Sequence, residues 1–341
     1  MSVVSLFSGC GGMDLGFINA GYNIVWANDF DKYAVKSYKE NIGNHIIEGD
    51  IGDIPLTEIP NHRVLIGGFP CQPFSMMGSQ HGFLDRMRGT LFFNIAQIIE
   101  EFLPEVVVLE NVRNLRTHDN GNTLRVIKET LNTIGYTVYQ DVLNSSNFGV
   151  PHTRNRLFLV CIRNEIVEEL EQKGIKYKFP VGQPIDPNES NLQSMLDSNV
   201  DPKYYLSKKI LPTILAHGTG GYYSRSEIDL KIARPLTATM AKMHRANQDN
   251  YVTQPNELAR ELDKTDVRRL TPKECAKLQG FPKDYKIVVS DTQAYKQFGN
   301  AVTVNVAEQI AKSILDIIPN ISDANQKNLG VNNVLEFQSN K

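Results

Sequence analysis

Short apolar runs recur through the first 165 residues, each followed by a segment whose apolar positions return every three to four residues. Val3–Phe7, Ile24–Ala27, Ile46–Glu48, Val64–Gly67, Val106–Glu110, Val138–Leu143 and Leu157–Ile162 read as strands. Met13–Ala20, Tyr33–Asn41, Leu91–Phe102 and Thr123–Ile134 read as the helices between them. Strands that alternate with helices predict an α/β fold, a mainly parallel sheet covered by helices. Several of these strands end in Gly, Asp, Glu or Pro, and open α/β sheets bind ligands just beyond such ends.

Past residue 165 this rhythm breaks. Pro180, Pro184, Pro187 and Pro202 stand among Asp, Asn and Ser, the composition of a linker. Residues 201–245 then carry eight Lys/Arg against three Asp/Glu, with Tyr204, Tyr205, Tyr222 and Tyr223 interleaved. Helical order returns at Thr271-Pro-Lys-Glu274, a capping box with Pro at the first helical position. A last helix is expected from about Val302 to Ile317, followed by a polar tail. The division expected is a catalytic domain over 1–185 plus 291–320, a second, smaller domain with its hinge over 186–290, and a flexible tail over 321–341. No internal repeat is present.

Composition narrows the class. The 341 residues are 41% hydrophobic and 22% charged, an ordinary globular mix. No apolar run nears the 18 or so residues that cross a bilayer, and the first residues lack a signal-peptide pattern, so a cytoplasmic protein is expected. Net charge is −2, which neither demands nor excludes nucleic acid, because clustering decides. The four cysteines (Cys10, Cys71, Cys161 and Cys275) form no CxxC pair, so no metal site is expected. In a cytosolic chain they stay reduced.

Two constellations carry chemistry. Val3–Phe7 runs into Ser8-Gly-Cys-Gly-Gly12 and then a helix, which brings backbone amides close to a nucleotide-like ligand. Asp29 and Asp50 end the next two strands. Each alone reads as a cap or turn residue; together they read as an adenosine site, and without a full GxGxxG they suit S-adenosylmethionine better than NAD. Elsewhere, Val64–Gly67 empties into Gly68-Phe-Pro-Cys-Gln-Pro-Phe-Ser75, a cysteine held between prolines at a ligand-binding strand end. Glu110 ends a neighbouring strand, where burial would keep its carboxyl protonated. His152-Thr-Arg-Asn-Arg156 sets Arg154 and Arg156 on one face at period two, able to hold a phosphate or brace the Glu.

Phe7-Ser-Gly-Cys-Gly-Gly12, Pro70-Cys-Gln-Pro-Phe-Ser75, Glu110-Asn-Val112, Arg154-Asn-Arg156 and Phe298-Gly-Asn-Ala-Val302 follow the order of the cytosine-C5 DNA methyltransferases. The chain resembles the bacterial restriction-modification type, over nearly its whole length except about 180–265 and the tail. The resemblance implies a Rossmann-like S-adenosylmethionine-dependent methyltransferase sheet with a target-recognition domain at 186–290. It implies that Cys71 adds to C6 of cytosine and that Glu110 contacts N3 and the exocyclic amine, which the Phe69 carbonyl also holds. Arg154 and Arg156 would support that pocket. Phe7, Cys10, Gly12, Asp29, Phe30, Asp50, Ile51, Pro70, Leu91, Asn300 and Val302 fall where the family lines its cofactor site. Two departures are His152, where many members have Gln, and Asp29, which replaces a common Glu with a shorter reach. Residues 72–90, with Gly78, Gly82 and Gly89, resemble the family's closing loop. Thr239-Met240 resembles the Thr-Leu pair of its recognition region. Gln72, Ser75, Arg225, Thr239, Lys242, His244, Arg245 and Gln248 are then the expected DNA contacts.

The partners implied are double-stranded DNA, bound by a monomer with its target base flipped out, and functionally a cognate restriction endonuclease, with no membrane. Three other readings are weaker. The transfer-RNA branch of the family carries a Cys-Phe-Thr signature absent here. A catalytically dead nucleic-acid-binding homologue would not need Cys71, Glu110 and both arginines. An NAD-dependent oxidoreductase leaves Pro70-Cys71-Gln72 and Glu110 unexplained.

Overall fold

A computed structural model describes residues 1–70, 91–219 and 222–317. Cys71, Gln72, Ser75, the 72–90 loop and the 321–341 tail lie outside the described residues.

The chain lays down β1 (Ser2–Leu6), α1 (Gly12–Asn19), β2 (Asn23–Asp29), α2 (Lys32–Asn41), β3 (Ile46–Glu48) and β4 (Val64–Gly68). It continues through α3 (Leu91–Phe102), β5 (Val106–Val112), α4 (Asn122–Thr133), β6 (Tyr136–Asn144), β7 (Asn155–Arg163) and α5 (Asn164–Gln172). Seven strands form one sheet in the order β3-β2-β1-β4-β5-β7-β6, so all seven expected strands are present. The first five pair in parallel, whereas β7 inserts between β5 and β6 and runs antiparallel to both. Apolar side chains of the sheet face two cores. Phe17, Val35, Tyr38 and Ile166 bury one face together with Ala307 and Ile310; Phe92, Ile95, Leu124 and Ile127 bury the other. Strand order reverses between β1 and β4, which places a crevice beyond their carboxyl ends.

Past residue 200 the elements shorten: β8 (Tyr205–Ser207), α6 (Leu211–Leu215), β9 (Gly218–Thr219), β10 (Tyr222–Tyr223), β11 (Tyr251–Thr253), α7 (Glu257–Glu261), β12 (Lys264–Arg269) and α8 (Pro272–Leu278). Three of them pair as a small antiparallel sheet, β11-β12-β8. Helices α9 (Asp291–Asn300) and α10 (Val304–Leu315) bring the chain back to β1. A third apolar core runs from Leu192 through Leu236, Leu278 and Phe298 to Cys10, so it crosses residue 290 and touches the glycine-rich turn.

The capping box read at Thr271 does more than start α8. Glu274 accepts the Thr271 N–H on Oε2 (2.7 Å) and the Asp197 N–H on Oε1 (2.8 Å), and both oxygens take the Arg268 guanidinium at 2.7 and 2.8 Å. Both side chains are fully buried. Removing one member of such a pair strands the other charge, so Glu274→Ala should destabilise the fold by about 3–5 kcal/mol. Replacing both with apolar residues of similar volume should cost far less. Urea unfolding midpoints of the single and double variants check this; equal losses would show that burial geometry, not the stranded charge, sets the cost.

Candidate active site

The crevice at the switch point is a cavity of about 350 Å³, a size suited to a small-molecule ligand. Its walls come from the ends of β1, β2, β4 and β5 and from the 296–302 turn. Phe7, Cys10, Gly12, Asp29, Phe30, Pro70, Asn300 and Val302 line it, and so do Glu110 and Arg156.

Backbone geometry shapes the β1 end. Phe7 holds φ 54°, a conformation that costs an L-residue energy and persists where the surroundings enforce it. Gly12 needs to be glycine, since a Cβ there would lie 2.3 Å from the Val302 carbonyl oxygen. Asp29 is pinned: Oδ2 accepts the Gly9 N–H and Oδ1 the Asp31 N–H, both at 2.8 Å. Burial pushes its pKa up, and these two amides pull it back. A carboxylate has lone pairs left for a diol after two such bonds. Beside it Phe30 lines the cavity and is 69% exposed, an aromatic residue available for stacking. Asp50, Ile51 and Leu91 do not line the cavity among the described residues. The Asp50 side chain accepts the Gly52 N–H (2.9 Å), Ile51 is buried in the apolar core, and half-buried Leu91 packs against that core.

At the opposite wall Glu110 is buried on β5. Arg156 lies diagonally across on β7, its Nε 2.8 Å from Glu110 Oε1, in an ion pair that lacks hydrogen-bond alignment. Oε1 therefore has no hydrogen-bond partner among the described residues. Gly68 leaves room beside it, since a Cβ there would come 3.2 Å from Oε2. Burial pushes the Glu110 pKa up, and the charges of Arg156 and Arg154 only partly oppose this. A raised pKa and a place on the cavity wall are what a candidate proton donor needs.

Arg154 does not share this contact. It precedes β7, so strand alternation stops short of it, and its fully buried guanidinium hydrogen-bonds carbonyls of Leu236, Gly299, Asn300 and Ala301. His152 is buried too; its Nε2 accepts the Leu236 N–H at 3.1 Å, and burial drives its pKa well down, so the ring is neutral.

Three further residues carry no expected role from the sequence: Asn111, although it lies within Glu110-Asn-Val112, Gln279 and Asp14. Asn111 Nδ2 donates to the Phe69 carbonyl (2.8 Å), fixing the segment that leads into Pro70 and Cys71. Gln279 Nε2 donates to the Phe298 (2.6 Å) and Ala301 (3.2 Å) carbonyls, bracing the 298–302 turn. Asp14 lines the cavity floor, accepts the Tyr38 hydroxyl at 2.8 Å and is pushed up to about 6 by burial. The described cysteines are buried and free: burial pushes the Cys10 thiol up to about 12, and raises Cys161 and Cys275 as well. None of these three is poised as a thiolate.

Five expected DNA contacts gather on one stretch. Thr239, Lys242 and Gln248 are exposed and Arg245 half-buried around a short 3-10 turn. His244 is oriented by Asp249, whose Oδ2 accepts its N–H at 2.8 Å and lies 3.2 Å from Nδ1. Arg225 is exposed and pairs with Glu227 at 2.9 Å, and the Glu227 N–H bonds the Ala246 carbonyl, joining the two stretches.

A family model for C-5 cytosine-specific DNA methylases matches residues 1–316. The chain belongs to that family. The methylase is 38% identical to the Type II methyltransferase M.SsoII of Shigella sonnei, covering 93% of this chain and 80% of that protein. It is 37% identical to M.HhaI of Haemophilus parahaemolyticus (91% and 93%) and 36% identical to M.NlaX of Neisseria lactamica (94% and 98%). Among solved structures it resembles S. pombe Dnmt2, with TM-score 0.71 at 20% identity over 93% of this chain and 98% of that one. The Entamoeba histolytica methyltransferase EhMeth gives 0.70 at 19%. Those likenesses show the fold, a Rossmann-like methyltransferase sheet. No helix among the described residues is long and apolar enough to cross a membrane.

Proposed function

We propose that this methylase transfers a methyl group from S-adenosylmethionine to C5 of a flipped-out cytosine in a short duplex DNA sequence, protecting its host's DNA from a partner restriction endonuclease. The observation that carries this reading is one cavity shared by two chemistries. A wall of Phe7, Gly12, Asp29 and Phe30 faces a buried Glu110, its pKa raised by burial, beside Arg156. The residues fit the cofactor: Asp29 offers lone pairs to a ribose, Phe30 a stacking face, and the Gly12 cradle a close backbone approach. When bound, the cofactor supplies an electrophilic methyl on sulfur.

The chain's residues prepare the base to take it. C5 of cytosine is a poor nucleophile because the ring is aromatic. The Cys71 thiolate forms a bond to C6 while Glu110 gives its proton to N3, which makes C5 enamine-like. C5 so activated would then accept the electrophilic methyl that the cofactor would supply, held by Asp29, Phe30 and the Gly12 cradle. Solvent removes the C5 proton, the Cys71–C6 bond breaks to release the thiolate, and N3 returns its proton to Glu110. Arg156 holds the Glu110 carboxyl in place throughout, and Asn111 holds the Phe69 carbonyl toward the exocyclic amine. The reading places the protein in the cytoplasm, acting as a monomer on its DNA.

Bisulfite sequencing of plasmid DNA from cells expressing the protein tests the proposal. A single short sequence, protected at one cytosine throughout, is the expected result; unmodified DNA from cells holding folded protein would overturn it.

We further infer that sequence choice resides in 186–290, separately from the chemistry. This stretch has the local excess of cations that follows phosphates, and its exposed Lys242, Gln248 and oriented His244 supply base-edge donors and acceptors, with a good bidentate pair worth about 1–3 kcal/mol of discrimination. Exchanging it for the same block of a relative with a different target should transfer the methylation pattern. An active chimera that keeps the original pattern would place recognition elsewhere, in the 72–90 segment.

A further inference from the structure

The Arg154 guanidinium sits where two stretches distant in sequence meet. Nη2 donates to the carbonyls of Gly299 (3.0 Å), Asn300 (3.3 Å) and Ala301 (2.9 Å), and Nη1 donates to that of Leu236 (3.1 Å). The first three close α9, whose last carbonyls have no partner within the helix and whose dipole favours a cation there. Asn300 and Ala301 line the cofactor cavity; Leu236 does not, and belongs to the 186–290 stretch. The two stretches also touch through their backbones, since a Cβ on Gly299 would lie 2.3 Å from the Thr237 carbonyl carbon. None of these partners is a carboxylate, so peptide dipoles hold this buried cation.

We propose that Arg154 is a positioning residue that ties the cofactor turn at 299–301 to the target-reading stretch at 236–237, so that filling the cofactor cavity restrains the target-reading stretch. The inference rests on the cofactor reading above. A planar guanidinium presents its donors in a fixed fork, so one orientation serves both stretches at once. When the 299–301 turn is held by ligand, the fork is held with it, and Leu236 loses freedom to open. A lysine carries a compact charge without the fork; it can serve the end of α9 and leave the Leu236 carbonyl without its donor, while His152 still accepts the Leu236 N–H.

Hydrogen exchange of the full chain, with and without S-adenosylhomocysteine, reads this directly, because amide protection reports local opening. In the parent, ligand should slow exchange at 7–12 and 299–302, and also at 234–240, by about fivefold or more, the low end of measured site-to-site coupling. Strand β11 (Tyr251–Thr253), which Arg154 does not contact, should be unchanged. In Arg154→Lys the ligand should still slow 7–12 and 299–302 while 234–240 no longer responds. No slowing at 234–240 in the parent, or slowing that survives in the lysine variant, overturns the proposal. If the lysine variant does not fold, Arg154→Gln takes its place. If neither folds, the parent decides: a response at 234–240 with β11 silent supports the tie, and an equal response at both overturns it. Exchange unchanged at 7–12 in the parent would instead overturn the cofactor reading, a separate failure.

Discussion

Cys71→Ser should reduce methyl transfer to background while leaving S-adenosylhomocysteine binding close to that of the parent. The nucleophile at C6 must be an anion: a cysteine thiol has an ordinary pKa of about 8.5 and supplies thiolate near neutral pH, whereas a serine hydroxyl does not. No other described cysteine can substitute, because burial pushes the Cys10 thiol up to about 12 and raises Cys161 and Cys275 too. Cys71 follows Pro70, which is exposed and lines the cavity, with its entry fixed by the Asn111–Phe69 bond. The serine variant keeps nearly the same side-chain size, so the cofactor walls should not move. Transfer of labelled methyl to plasmid DNA gives the activity, and titration with S-adenosylhomocysteine gives the binding. A covalent complex with 5-fluorocytosine DNA should form with the parent and be absent with the variant, since fluorine at C5 cannot leave as a proton. Full activity in the serine variant would remove Cys71 from the mechanism.

The central strands of the sheet were legible because they are packed from both sides. Val64–Gly68 and Val106–Leu109 are apolar at nearly every position, and such runs announce buried strands regardless of register. Their order was not. That β7 slips between β5 and β6 follows from which edges remain open after folding, and no residue pattern encodes it. Helix α5 escaped because only Ile166, Val167 and Leu170 of its nine residues are buried, a stripe too thin to stand out. The strands beyond residue 200 are two to six residues long, too short for most of them to show a period of two.

Residues that face the cavity from strand ends were readable from type and place, as with Asp29, Glu110 and Arg156. Residues whose partners are backbone carbonyls of distant segments were not. Arg154 looked like the twin of Arg156 because they are two apart, but alternation holds only inside a strand, and β7 begins at Asn155. Asn111, within the Glu-Asn-Val motif, and Gln279, inside an otherwise ordinary helix end, act on carbonyls 42 and 19–22 residues away, a relation invisible in local sequence. The single clue for such groups is a buried amide or guanidinium beside a turn that must keep its shape.

Glu110→Gln should lower turnover by about a hundredfold or more, the ordinary contribution of a positioned acid, without unfolding the protein. The amide preserves size and can hydrogen-bond the base, yet it has no proton to give as the ring accepts the thiolate. In the parent, burial holds the Glu110 pKa above its usual value against the opposing pull of Arg156 and Arg154. The acid is therefore present at low pH and lost as pH rises through that raised value, so kcat/KM of the parent should fall on the alkaline side, a limb the glutamine variant should lack. Stability follows with the same sign. A carboxyl whose folded pKa exceeds its unfolded one stabilises the fold below the unfolded value, and that contribution fades as pH rises through the folded one. Glutamine does not titrate, so the Tm of the variant relative to the parent should climb with pH across that window. A difference that shrinks instead would mean that Glu110 folds as a carboxylate paired with Arg156. Its part would then be to bind the exocyclic amine, and the loss of kcat/KM in the variant would appear in KM rather than in kcat.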